Sequence, residues 1–181
     1  MRPMGQPRWL SEEEAGAWRA FLAMRHALDR AIDRQLTQAS GLSAADYQLL
    51  VPLSEAPAKE LRARDLGRDV DWERSRLSHQ IRRMEQRGLI SRSECPTDAR
   101  GTMIALTDAG AAAISDAAPP HVDWVRENFI GLLTPAELVT LREISERVLG
   151  RLVAAGCSEA VEACEILVGE CPSTEAGQAL S

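Results

Sequence analysis

The sequence predicts a mainly α-helical fold with one small antiparallel β hairpin. Three observations carry that reading: long apolar stripes at helical spacing near both ends, shorter helix-forming segments between them, and two brief β-prone stretches around a Pro, Asp and Gly turn. At 181 residues the chain can form one compact unit with a substantial core, or two small lobes sharing one.

Residues 1–10, with two prolines and a glycine, read as a loose arm. Ser11 with Glu14 three residues later is a capping box that opens a first helix. From there Trp18, Phe21, Leu22, Leu28, Ile32 and Leu36 fall within about 120° of one another at about 100° per residue, one stripe over five turns. The helix is expected to stop near Ser40 and Gly41. Ser43 with Asp46 opens a second, which Pro52 should kink or end because proline has no N–H to donate.

The apolar LRA at 61–63 leads into RDLGRDV, and after the single turn residue Asp71 comes WERSRLSHQIRRMEQRGLI. This is the outline of two helices joined by a tight turn. On the second, Leu77, Ile81, Met84 and Gly88 share one side; Ser75, His79, Arg82 and Gln86 cluster opposite, with Arg76, Ser78 and Arg83 on the flanks. Gly88 suits the left-handed residue that closes a helix. LISRSE and TMIALT then read as two strands around CPTDARG, a hairpin wing. Thr107 with Asp108 begins a further helix, expected to break at Pro119 and Pro120 and resume from His121. Thr134, Pro135 and Glu137 mark a last helix start, followed by the stripe Leu138, Leu141, Ile144, Val148 and Leu152.

Charge is divided unevenly along this plan. Residues 74–92 hold six arginines against Glu85 alone, which leaves 15 basic and 26 acidic residues elsewhere in a chain of formal net charge −6. Lys59 is the only lysine. A helix about 10–12 Å wide fits the DNA major groove, whose base edges present distinguishable donors and acceptors. Arg82 and Arg83 have the fork geometry for guanine or phosphate, and Ser75, Arg76, Ser78, His79 and Gln86 can reach base edges or backbone. Arg92 adds charge beside the wing. At its tip, Arg100 would enter the minor groove, with Asp98 holding that arginine or the turn by an ionic hydrogen bond. A solvated arginine-rich surface would show none of the accompanying order: short helix, one-sided polar face and basic-tipped hairpin in succession.

The stretch LRARDLGRDVDWERSRLSHQIRRMEQRGLISR, the wing DARG and the ALTDAG that opens the next helix resemble the MarR family of winged helix-turn-helix transcriptional regulators. The resemblance spans residues 11–155. It implies a winged helix-turn-helix lobe at 42–106 and a helical dimerisation lobe built from 11–41 and 107–155. It further implies an obligate homodimer whose two winged lobes bind successive half-sites of a palindrome in double-stranded DNA; a repressor is expected, and a cytoplasmic location follows from the want of a secretory signal. Ala63, where a capping Ser or Thr often stands, and Asp71, in place of a turn glycine, depart from the pattern, and so does the tail at 156–181. The family also implies release by a small aromatic or phenolic effector, for which Trp18, Phe21, Met24, Arg25 and His26 are candidate ligand-binding residues. A tryptophan and a phenylalanine at helical spacing are more often core, and His26 reads first as a packing residue.

In the tail, Cys157, Val161, Cys164, Val168 and Cys171 recur at alternating steps of four and three, a coiled-coil spacing that suggests a short helix. These cysteines are candidates for burial or for a redox switch, although Glu159, Glu162, Glu165 and Glu170 would raise their thiol pKa. Cys95, read as an exposed loop thiol between Arg92 and Arg100, is the better-placed redox candidate. No stretch is apolar enough to span a membrane, and no secretory signal opens the chain. No nucleophile elbow, phosphate loop or metal-ligand pair appears, so neither catalysis nor a cofactor nor a metal is expected. A redox-responsive regulator and a helical protein-interaction module are the alternatives to a ligand-releasable repressor.

Overall fold

The computed structural model describes residues 8–95 and 98–157; for residues 98–100 the description covers the backbone alone. The chain folds as α1 (Glu12–Ser40), α2 (Ala44–Glu55), β1 (Glu60–Arg62), α3 (Ala63–Asp69), α4 (Arg74–Gln86), β2 (Ile90–Cys95), β3 (Asp98–Leu106), α5 (Asp108–Asn128), a 3-10 turn (Ile130–Leu132) and α6 (Pro135–Ala154). It is a mainly helical winged fold, as the patterning predicts.

Local chemistry sets the helix ends. Ser11/Glu14, Ser43/Asp46 and Thr134/Glu137 all close reciprocal capping boxes. Thr107 caps α5 by accepting from the Gly110 amide at 3.0 Å. Gly41 and Gly88 take the left-handed conformation at φ 69° and 72°, as does Asp71 at φ 52°, a residue type that tolerates it. Lys59, at φ 51°, occupies the exposed turn between α2 and β1.

The prolines do less than expected. α2 runs through Pro52 to Glu55, and α5 is continuous through Pro119 and Pro120. Each proline removes one i→i−4 bond. The freed carbonyls belong to Gln48, Ser115 and Asp116, all exposed, where water can serve them, while Leu53, Ile114 and Ala117 hold their helices to the core.

The sheet has three antiparallel strands in the order β1-β3-β2, with Arg62 opposite Met103 and Ile90 opposite Leu106. β1 was not anticipated. The wing is also longer than its sequence suggests: β3 starts at Asp98, and a register shift between Glu94 and Cys95 absorbs the difference. Leu49, Leu50, Leu53, Leu66, Met84 and Ile104 are fully buried and form the core of this winged part. By contrast, α6 buries none of its residues, and its Val139, Ile144, Val148 and Leu152 are all at least two-fifths exposed.

Candidate nucleic-acid interface

α4 is anchored on one side only. Leu77, Ile81 and Met84 enter the core, whereas Ser75, Arg76, Ser78, His79, Arg82, Arg83 and Gln86 are all exposed. Every α4 residue singled out from sequence therefore lies on the open surface of one helix. Trp72, half-buried in the preceding turn, carries the Arg76 guanidinium 4.0 Å above its ring, a cation–π contact that holds this arginine beside the first turn of α4.

Arg87 and Arg92 of the basic segment are engaged within the chain. Arg92, on β2, pairs with Glu85, and that bond holds the Glu85 carboxyl below its ordinary pKa and raises the Arg92 guanidinium. Arg87 turns away from the exposed face. Its Nη1 donates to Asp46 Oδ2 at 2.6 Å and its Nη2 to the Gly41 carbonyl at 2.9 Å. Gln80, also unremarked in the sequence, is buried and donates from Nε2 to Asp46 Oδ1 at 2.6 Å. Spacing alone holds no signal for Gln80 and Arg87, because their common partner Asp46 lies 34 and 41 residues away.

Asp98 and Arg100 fall on β3, at the tip of the wing; their side chains lie outside the described residues. Cys95 is 5% exposed, which corrects its reading as an exposed loop thiol: the strand bulge turns it inward. Cys157 is half-buried, and Cys164 and Cys171 lie outside the described residues.

Among the described residues the expected effector residues form no enclosed site. Trp18 and Phe21 stack on each other at 5.8 Å, and both, with Met24, Arg25 and His26, are exposed along α1. A shallow groove of about 380 Å³ lies instead between α1 and α5, lined by Ala31, Arg34, Gln35, Gln38, Ala39 and Trp124. Beside it His121 Nδ1 is 3.0 Å from Gln35 Oε1, and its ring packs on Tyr47 at 4.8 Å. Among the described residues no cluster of His, Cys, Asp or Glu could hold a metal ion, and no helix is long and apolar enough to cross a membrane.

The MarR family model matches residues 42–102, from the start of α2 to the wing. The crystal structure of AbsC, a MarR family transcriptional regulator from Streptomyces coelicolor, is similar with a TM-score of 0.77 and 38% identity, covering 81% of this chain and 98% of that one. Sco3205, a MarR family regulator from the same organism solved in complex with DNA, gives a TM-score of 0.76 and 39% identity over 84% of this chain and 92% of its own. An uncharacterised HTH-type transcriptional regulator of Bacillus subtilis (strain 168), YdgJ, is 23% identical over 123 residues, 68% of this chain and 74% of that protein. The chain belongs to the MarR family of DNA-binding transcriptional regulators.

Proposed function

We propose that this protein is a repressor that binds a palindromic operator as a homodimer and is released by a small aromatic or phenolic effector. The observation that carries the proposal is the division of α4 into a buried face of Leu77, Ile81 and Met84 and an exposed one bearing Arg82, Arg83, Ser75, Ser78, His79 and Gln86. In this reading those side chains and Arg76 meet bases and phosphates in the major groove, and Arg92 and Arg100 bring the wing to the adjoining backbone and minor groove. Sco3205, at 39% identity and solved with DNA, supports it. The homodimer reading draws support from the apolar residues left exposed on α1 and α6, which a second copy would cover. Arg34 and Trp124 offer an aromatic anion a cation and an indole in the α1–α5 groove.

Selection of duplexes from a random pool tests the reading. A palindromic consensus is expected, bound in gel shifts by two copies of the chain and released by a hydroxybenzoate from a small panel. Equal binding to the selected duplex and to a scrambled one would favour a protein-interaction module instead.

A further inference from the structure

We infer that Asp46, Gln80 and Arg87 form a polar latch around the buried Asp46 carboxylate that seats α4 on the junction between α1 and α2, making Gln80 and Arg87 positioning residues for base reading. The inference rests on α4 being the helix that reads DNA. Asp46 is 2% exposed and serves more than its capping box. The cap itself needs only Ser43, whose amide and hydroxyl donate to Oδ2 at 2.9 and 2.8 Å. Gln80 adds a bond to Oδ1 and Arg87 one to Oδ2, both at 2.6 Å, and the second arm of the Arg87 fork reaches the Gly41 carbonyl at the end of α1. One buried carboxylate thus gathers donors from the α1–α2 junction and from two points of the α4 segment.

The two α4 attachments are seven residues apart, hence about 20° apart around the helix at two turns' separation. Such a pair fixes both the rotation of α4 about its axis and its tilt. The apolar contacts of Leu77, Ile81 and Met84 cannot do this alone, because hydrophobic burial is non-directional whereas hydrogen bonds constrain distance and angle. A buried carboxylate is an expensive way to add stability, and its better-attested use is to specify one arrangement among several. Side chains that read bases need placement to within about half an ångström. Gln80 and Arg87 supply it from the side of the helix away from DNA.

The test uses the duplex selected by the wild-type chain and a scrambled control, with fold and mass checked for each variant. Gln80→Met keeps the shape and removes the donor; it is expected to lower the preference for the selected duplex about ten-fold, the size of one mismatched base pair. Binding to the scrambled control and its salt dependence should stay unchanged, because neither group neutralises a phosphate. Gln80→Glu, which sets two carboxylates face to face, should lose preference likewise, and the exchange Asp46→Asn/Gln80→Glu should restore it by reversing the amide and the acid. If Gln80→Met does not fold, Arg87→Lys, which keeps the charge and loses the fork, carries the same expectation. Undiminished preference in the folded variant, or an exchange that restores nothing, overturns the inference. A wild-type chain that selects no sequence overturns the proposed function.

Discussion

Arg82 stands near the middle of the exposed side of α4 and has the geometry to fork onto a guanine edge. Arg82→Ala is expected to cost about 1–3 kcal/mol of binding and to relax preference at one base position, measured by titrating single-base variants of the selected duplex. A uniform loss across all of them would place Arg82 on phosphate. His121, on α5, packs against Gln35 of α1 and Tyr47 of α2 and bears on stability. Burial pushes its imidazole below the ordinary 6.5. The folded chain therefore holds fewer protons at this site than the unfolded one once the pH falls below 6.5, so stability present above that value is lost as acid is added. Denaturant midpoints are expected to fall on acidification through this range, and His121→Gln should flatten the fall.

At the scale of elements, α5 begins packed tightly against the chain leaving α4. A Cβ on Gly110 would lie 2.0 Å from the Leu89 carbonyl oxygen and 2.8 Å from Leu106 Cδ1. Gly110→Ala must move backbone, and we expect it to lower unfolding free energy by about 3 kcal/mol or more, read from urea denaturation. Helix starts were the most legible feature of the sequence, since Ser11, Ser43 and Thr134 each carry their partner three residues on and the bonds are local. The exposed face of α4 was legible for the same reason: helical periodicity decides it. Pro52, Pro119 and Pro120 misled because a local penalty says nothing of the packing that outweighs it. The three-residue β1 is shorter than any periodic signal and exists because β3 offers it an edge. Gln80 and Arg87 stayed hidden because their partner is brought to them only by the fold.

For the molecule as a whole, the unequal burial of its parts is the dominant feature. The winged part is closed around its own leucines, but α6 and the Trp18–Phe21–Met24 side of α1 are left exposed by the described residues. On the homodimer proposal, a charge set into that surface should separate the subunits. Ile144→Arg is expected to yield a monomer by light scattering and to abolish binding to the selected palindrome at concentrations where wild type binds fully. A dimer of unchanged mass would move the interface elsewhere.

The side chains of α4 that we assign to DNA owe their positive charge to guanidinium alone, and Lys59 occupies a turn outside that helix. Guanidinium stays protonated at every physiological pH. Acyl transfer to ε-amino groups, which silences cations in many proteins, has no target on this helix. Its electrostatic grip answers to ionic strength and to shape, and not to acetylation.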